Sequence, residues 1–206
     1  MKKLLIAAVA LLVSISASAQ FGIMGGLTSS SSKLGSALND VSSKNINQYH
    51  IGVTYKFNLG KVFALQPALL YQVKGTRLSD IGGIPDLSCD FKTGYIELPV
   101  QIQAGVGLGK LIRIYGILEP YIGLAVSNKI TVEGTTSSGW DNVKNRFEFG
   151  AGLGAGVELL NRIQLSARYC WDFGKVYGSD FTIGSGVKTV TSSPCNCINV
   201  SVAFLF

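Results

Sequence analysis

Apolar and polar residues alternate strictly along most of the chain. In the segment GYIELPVQIQAGVG, residues 94–107, the apolar side chains of Ile96, Leu98 and Ile102 alternate with the polar side chains of Glu97 and Gln101. A period of two residues predicts a β-strand whose two faces meet different surroundings. The same alternation recurs in seven other segments, residues 20–28, 49–59, 63–74, 111–126, 146–159, 162–173 and 198–206. We therefore predict about eight strands, each of the length that a tilted strand needs to cross a hydrocarbon layer.

The connections between these segments alternate in length. Long polar stretches occupy residues 29–48, 75–93, 128–145 and 174–197, and short links occupy residues 58–61, 109–110 and 161–162. Short turns on the periplasmic side and long loops outside are typical of barrels that cross an outer membrane, and an even strand number lets the sheet close. The sequence thus predicts an all-β fold, a closed antiparallel up-and-down transmembrane β-barrel of about eight strands.

The two faces of the predicted strands differ in charge. The apolar face carries no charged residue, and its aromatic residues fall near the strand ends, as expected where a barrel meets the two membrane interfaces. The opposite face carries five basic and five acidic residues, Lys56, Lys74, Arg113, Arg146 and Arg168 with Glu97, Glu119, Glu148, Glu158 and Asp172. Because these charges cancel, we predict that they form ion pairs in the lumen.

A soluble ligand-binding barrel of the lipocalin type is the alternative to a membrane barrel. It requires the aliphatic residues inside and a well-charged exterior. Its exterior here would include four glycines in a row of alternate positions, Gly150, Gly152, Gly154 and Gly156. The sequence therefore favours aliphatic side chains that face lipid.

The first residues have the features of an export signal. Lys2 and Lys3 precede an apolar stretch at residues 4–15, and Ala17 to Ala19 form an A-x-A cleavage site. We predict a signal peptide at residues 1–19 and a barrel domain at residues 20–206. Residue 20 is Gln, not Cys, so no lipid anchor is expected there.

Composition argues against nucleic-acid binding and against a membrane-spanning helix after the leader. The chain has 18 basic and 12 acidic residues, and without Lys2 and Lys3 the difference is 16 − 12 = +4. The basic residues are scattered, so nucleic-acid binding is not expected. After the leader no apolar run is long enough for a membrane helix, because Arg113 and Glu119 interrupt the most apolar stretch.

Three sequence patterns bear on whether the chain has a cofactor, catalytic or metal site. Gly150, Gly152 and Ala155 fit a loose dinucleotide pattern, but they lie within a predicted strand with no helix after it. His50, the single histidine, has no evident Ser or carboxylate partner in the sequence. Cys195 and Cys197 have a spacing that is unusual for zinc. We therefore predict no catalytic residue, no cofactor and no metal site.

The four cysteines are compatible with disulfides in an exported chain. Four cysteines allow three pairings. Cys170 and Cys197 have the same inward parity near the long-loop end of two predicted strands, and Cys89 and Cys195 fall in long connections. We predict the pairs Cys170–Cys197 and Cys89–Cys195.

Several motifs resemble those of a known family. The segment GYIELPV resembles the Tyr-x-Glu-x-Pro strand of small outer-membrane barrels of Bacteroidota, the outer membrane protein beta-barrel domain or PorT-like group, and EPYIGLAV, the glycine-rich strand after it and the terminal VSVAFLF are also similar. The resemblance covers residues 20–206. It implies that the C-terminal aromatic residue, Phe206, is the signal read by the barrel-assembly machinery. These motifs are architectural, and resembling PorT does not imply a role in secretion.

Size and resemblance together lead to a functional expectation. We expect a non-enzymatic integral protein of the outer membrane of a Gram-negative bacterium, with a plugged polar lumen and external loops for surface interaction or envelope integrity. Its expected partners are outer-membrane lipid, the barrel-assembly machinery and an unknown external ligand or envelope partner. The alternatives are an accessory subunit of an envelope secretion or assembly complex and a lipid-modifying outer-membrane enzyme.

Overall fold

The structure, a computed structural model, describes residues 19–32, 42–79, 89–109, 111–132, 135–137, 146–173, 179–182, 187–190 and 195–206. Eight long strands form the fold: β1 (Ala19–Ser32), β2 (Ser42–Leu59), β3 (Phe63–Ser79), β4 (Cys89–Leu108), β5 (Ile112–Val132), β7 (Phe147–Leu159), β8 (Ile163–Asp172) and β11 (Cys195–Leu205). Three short strands lie between them: β6 (Thr135–Ser137), β9 (Ser179–Thr182) and β10 (Val187–Val190). Within these ranges, no helix has the length and apolar character that crossing a membrane requires.

The eight long strands form one closed antiparallel sheet. Their order is β4-β3-β2-β1-β11-β8-β7-β5, and β5 pairs again with β4, so every long strand has two neighbours. The first and last strands meet along eleven register pairs, from Gly22 with Leu205 to Ser32 with Cys195. The predicted fold class is confirmed. The predicted leader lies outside the described residues except for Ala19, which begins β1.

The aliphatic side chains point away from the barrel. In β4, Ile96, Leu98 and Ile102 are exposed by 45%, 49% and 43%, whereas Glu97 and Gln103 are exposed by 4% and 0%. The long strands share this arrangement: large aliphatic residues are exposed on the outside, whereas the inward face carries the buried polar and charged residues together with a few apolar ones such as Met24, Leu70 and Ile117. A soluble barrel requires the reverse arrangement.

Aromatic rings form pairs at both ends of the apolar exterior. At the long-loop end, Tyr49 lies 6.4 Å from Tyr71 and Tyr169 lies 4.9 Å from Trp171, measured between ring centroids. At the short-turn end, Phe206 stacks on Phe21 at 6.2 Å. Two aromatic belts are typical of a barrel whose ends lie at the two interfaces of a bilayer.

Most strands extend beyond their predicted limits toward the long-loop end. β2 begins at Ser42, not residue 49, and β5 ends at Val132, not residue 126. The predicted limits were too short because alternating hydropathy marks only the part of a strand that has lipid on one side. Beyond the bilayer both faces meet polar surroundings, so the ladder continues without the pattern. The short strands β6, β9 and β10 fall in the predicted long connections for the same reason.

Lysine on the lipid-facing surface should cost most in the middle of a strand. Ile102 lies six residues from the end of β4 at Leu108, and both side chains face outward. We expect Ile102→Lys to lower the free energy of unfolding in lipid by about 2 to 4 kcal/mol, and Leu108→Lys by about 0 to 1 kcal/mol, because the second ammonium group reaches water.

Equilibrium unfolding in urea, with the protein folded in lipid vesicles, measures both changes. Equal losses for the two variants would contradict the depth that we assign to Ile102.

Candidate functional site: the charged barrel interior

The chemistry-bearing side chains converge in the interior of the barrel, because every second residue of each long strand points inward. Of the ten predicted lumen charges, Arg113 is partly buried and Arg146 is exposed; the other eight are buried, Lys56, Lys74, Glu97, Glu119, Glu148, Glu158, Arg168 and Asp172. Ion pairs connect seven of these eight, and Arg113, in three clusters. We name these the turn-side, central and loop-side clusters, from the short-turn end upward.

The turn-side cluster is centred on Glu158. Its carboxylate accepts hydrogen bonds from Lys56 Nζ at 2.6 Å and from Gln164 Nε2 at 2.8 Å, and Arg113 NH1 lies 3.7 Å away. Arg113 also donates to Gln103 Oε1 at 3.2 Å and lies over the ring of Tyr115. One carboxylate therefore neutralises part of the charge of two cations from different strands.

A group of amides lies beside this cluster. Gln103 Nε2 donates to Gln66 Oε1 at 2.8 Å and to Gln101 Oε1 at 3.1 Å. All three side chains are at most 1% exposed. They link the neighbouring strands β3 and β4 on their inward face, while Nε2 of Gln66 and of Gln101 are buried without a hydrogen-bond partner.

The central cluster is a chain of five side chains. Arg168 forms an ion pair with Glu119 and donates from NH2 to Ser201 Oγ at 2.6 Å. Ser201 Oγ lies 2.7 Å from His50 Nε2, and His50 Nδ1 lies 2.9 Å from Thr28 Oγ1. The chain joins strands β5, β8, β11, β2 and β1. It crosses the barrel from one wall to the other.

The loop-side cluster is centred on Lys74. Its ammonium group lies 2.8 Å from Glu97 Oε1 and 2.9 Å from Glu148 Oε1. The same group lies 4.7 Å from the ring centroid of Tyr121 and 5.4 Å from that of Tyr95. Two carboxylates and two aromatic faces therefore surround one cation.

Glycines of β7 make room for the largest interior groups. A Cβ atom on Gly156 would lie 2.6 Å from the hydroxyl oxygen of Tyr115, and one on Gly154 would lie 2.7 Å from Cγ of Arg168. A Cβ atom on Gly150 would overlap the ring of Tyr121. Gly150, which belongs to the loose dinucleotide pattern, is therefore explained by the packing of the interior. Its strand, β7, continues through a tight turn into strand β8.

One predicted lumen charge lies elsewhere. Arg146 precedes β7, its side chain is exposed, and its carbonyl oxygen accepts a hydrogen bond from Ala125 N–H at 2.7 Å. Its position in the alternation is inward, but it lies at the end of the barrel, where the interior opens to solvent. Alternation gives the face of a residue and not its depth.

His50 has partners that the sequence did not reveal. Ser201 on β11 and Thr28 on β1 lie on the two strands whose pairing closes the sheet. They are 151 and 22 residues away from His50 in the chain. A Ser–His contact is the start of a nucleophilic site, but here His50 and Ser201 are each 1% exposed and Arg168 also binds the Ser201 oxygen. The arrangement is a buried hydrogen-bond chain.

Two of the residues considered as metal ligands have other contacts. His50 belongs to the central cluster, and Sγ of Cys197 lies 3.8 Å from Nε2 of Gln72. In the described part of the chain, no three His, Cys, Asp or Glu side chains are close enough to hold a metal ion.

Cys170 and Cys197 are direct register partners across β8 and β11. Both are buried free thiols in the structure, and a disulfide between them stays a prediction for the oxidised protein. Directly opposite residues of antiparallel strands have Cα atoms about 4.5 to 5.5 Å apart, within the range that a disulfide requires. The side chains of Cys89 and Cys195 lie outside the described residues.

Comparison with known proteins gives one family match. The family model described as "Outer membrane protein beta-barrel domain" matches residues 14–178. No curated protein matches the chain significantly.

Three solved structures illustrate the structural similarity. The attachment invasion locus protein Ail of Yersinia pestis, solved with the heparin analogue sucrose octasulfate, is 13% identical, with 91% of this chain and 99% of Ail covered and a TM-score of 0.43. Neisserial surface protein A is 14% identical, with coverages of 90% and 97% and a TM-score of 0.46. OprG of Pseudomonas aeruginosa is 12% identical, with coverages of 91% and 96% and a TM-score of 0.46.

Removing one member of the central ion pair should destabilise the barrel strongly. Glu119→Gln leaves the guanidinium group of Arg168 buried without its carboxylate, so we expect a loss of about 3 to 5 kcal/mol in the free energy of unfolding. Arg168→Met combined with Glu119→Leu removes both charges and should recover most of this loss. Urea unfolding in lipid vesicles measures the three proteins. A change below about 1 kcal/mol for Glu119→Gln would show that the pair is not buried in the folded barrel.

The predicted disulfides lead to a thiol count. The unreduced folded protein should contain no more than two alkylatable thiols, and Cys170→Ser should make Cys197 newly reactive after unfolding without reductant. Mass spectrometry after alkylation in denaturant gives both numbers, with Cys170→Ser/Cys197→Ser as the control for the other pair. Four alkylated thiols in the unreduced protein would contradict the disulfide scheme.

Proposed function

The chain belongs to the family of outer membrane protein beta-barrel domains and is an integral outer-membrane β-barrel protein, and from that premise we propose that it is a non-enzymatic barrel with a plugged lumen whose external loops bind a surface or envelope partner. The observation that carries the proposal is the interior itself. Three clusters of ion pairs and hydrogen bonds occupy it from the short-turn end to the loop end.

A plugged lumen is consistent with the size of the barrel. Eight strands enclose a space just wide enough for side chains to fill. Here the inward residues are long, and the largest fully buried ones include Arg168, Tyr115 and Lys56. Glu158 on β7 reaches Lys56 on β2, a strand on the opposite wall in the order of the sheet. Side chains that meet across the bore leave no continuous path for solutes.

The absence of enzymatic activity is the second part of the proposal. The best candidate nucleophile and base, Ser201 and His50, lie in the central cluster, and the other clusters separate them from both ends of the barrel. Substrate could reach them only if the ion pairs above or below separated. A lipid-modifying reaction, which takes place at the barrel rim or exterior, has no support from this geometry.

The external loops remain as the place for recognition. Residues 33–41, 80–88 and 138–145 are rich in Ser, Gly, Asn and Asp, and the long strands extend toward them past the aromatic belt. Rigid strands that carry variable polar loops are a common basis for binding sites. In the same proposal, outer-membrane lipid covers the apolar exterior, and Phe206, which stacks on Phe21, is the signal for the barrel-assembly machinery.

Conductance tests the plugged lumen. The purified protein in planar bilayers should show no stable conductance of porin size, because the three clusters occupy the bore. Glu119→Ala with Arg168→Ala removes only the central ion pair, so the turn-side and loop-side clusters should keep the conductance low, as in the lipid-facing control Leu153→Ala. Large reproducible channels in the unmodified protein would contradict the proposal.

Co-purification distinguishes a loop-binding barrel from an accessory subunit. Extraction in mild detergent should yield the barrel without a stoichiometric complex of other envelope proteins. Replacing residues 33–41 by a short Gly-Ser linker should abolish binding to any surface partner. The heat-modifiable gel band of this variant should show that the barrel is still folded. Recovery of a constant set of envelope proteins would favour the subunit. An altered lipid A profile in a deletion strain would instead favour an enzyme.

A further inference from the structure

The three short turns share a pattern that neither the interior nor the external loops explain. Each turn places a Gly or Asn and then a basic residue between apolar residues, in the sequences Leu59-Gly60-Lys61-Val62, Leu108-Gly109-Lys110-Leu111 and Leu160-Asn161-Arg162-Ile163. No acidic residue occurs within residues 59–63, 108–112 or 159–163. One basic residue per turn, with apolar neighbours, is therefore a repeated feature of this end of the barrel.

The backbone holds these turns in fixed positions. Gly60 and Gly109 have φ angles of 79° and 78°, and Leu160 and Asn161 both have φ angles of 56°, which are values of tight turns. Hydrogen bonds connect each turn to a neighbouring strand or to a neighbouring turn. Gly105 N–H donates to Val62 O at 2.8 Å, Leu160 N–H to Leu111 O at 2.7 Å, and Leu205 N–H to Arg162 O at 2.6 Å.

Most turn side chains that the structure describes are exposed. Lys61 and Arg162 are exposed, and so are the apolar neighbours Leu59, Val62, Leu108, Leu111 and Leu160, which have exposed fractions of 44% to 59%. The interior cations of this end, Lys56 and Arg113, are instead engaged by Glu158. The turn surface thus presents positive charge and apolar groups side by side.

A turn that lies in water is normally polar, and exposed apolar residues there have an unfavourable contact with solvent. The headgroup layer of a bilayer accommodates both kinds of side chain, because aliphatic groups reach the acyl chains while basic groups extend to phosphates. The rings of Phe21 and Phe206, which stack near this end, belong to the aromatic belt of the same interface. Charge and apolar character therefore fit one partner, a leaflet that contains anionic lipid.

We propose that the short-turn end is a binding surface for anionic phospholipid, in which Lys61 and Arg162 contact headgroup phosphates while the leucines and valine of the turns lie among the acyl chains. In the turn between β4 and β5, Lys110 occupies the equivalent position in the sequence. The surface lies at the end opposite to the loops of the proposed function, so the two inferences are independent. It keeps the short-turn end at a defined depth in its leaflet.

The test is lipid selectivity of the intact folded barrel. The protein is reconstituted with spin-labelled phosphatidylglycerol or phosphatidylcholine, and the relative association of the two lipids is measured by electron paramagnetic resonance at low salt. We expect the unmodified protein to prefer phosphatidylglycerol by about two- to fivefold. Lys61→Gln, Lys110→Gln and Arg162→Gln together should reduce the preference to about one. The preference should also fall as salt is raised, because the charges are exposed.

Two control variants complete the test. Replacing Lys33, Lys175 and Lys188 by Gln removes the same charge from the long connections and should leave the preference unchanged. Lys61→Arg, Lys110→Arg and Arg162→Lys keep the charge, should keep the preference, and so provide the answer if the glutamine variant does not fold. Equal association of both lipids with the unmodified protein, or equal loss in the long-connection variant, would overturn the proposal. Neither result would affect the conductance on which the proposed function depends.

Discussion

Backbone N–H and C=O groups in hydrocarbon have no water to bind, so a chain that crosses a membrane as strands must close its sheet. In this protein the first and last strands, β1 and β11, pair to close it, and every other pair of neighbours joins long strands that are consecutive in the chain. Once the sheet is closed, the alternation of side chains leaves only two environments. Lipid contacts the aliphatic face, and the charged side chains of the other face need partners inside the barrel.

The interior meets this requirement with pairs that cross the bore. Lys56 on β2 binds Glu158 on β7, and Lys74 on β3 binds Glu148 on β7, so the partners come from strands that are not neighbours in the sheet. Isolated charges in such a space would be very unfavourable, because desolvation exceeds what one poorly placed partner returns. Each pair therefore fixes the separation of two walls as well as neutralising two charges. The glycines of β7 leave the space that this packing needs.

Alternation and connection lengths together were sufficient to predict the eight long strands, the closed fold and the face of most strand residues. Ile102 and Gln103 show why: a period of two assigns opposite faces to neighbours without knowledge of the partner strand. It could not predict that Arg168 meets Glu119, or that His50 meets Ser201, because those contacts depend on the stagger between strands that are distant in sequence. Nor could it predict the depth of Arg146 or the ends of β2 and β5, where lipid no longer contrasts with the interior.

The seam between β1 and β11 also bears on how the chain can be connected. Phe206 N–H donates to Phe21 O at 2.8 Å, so the first and last residues of the barrel lie side by side at the short-turn end. A short linker can join these ends, and new termini can be opened in one of the tight turns, such as that at Gly60, without any change in the neighbours of a strand. The order in which strands leave the ribosome is then separated from the order in which they pair. A circularly permuted barrel would carry a different strand at its C-terminus and the same lipid-facing surface.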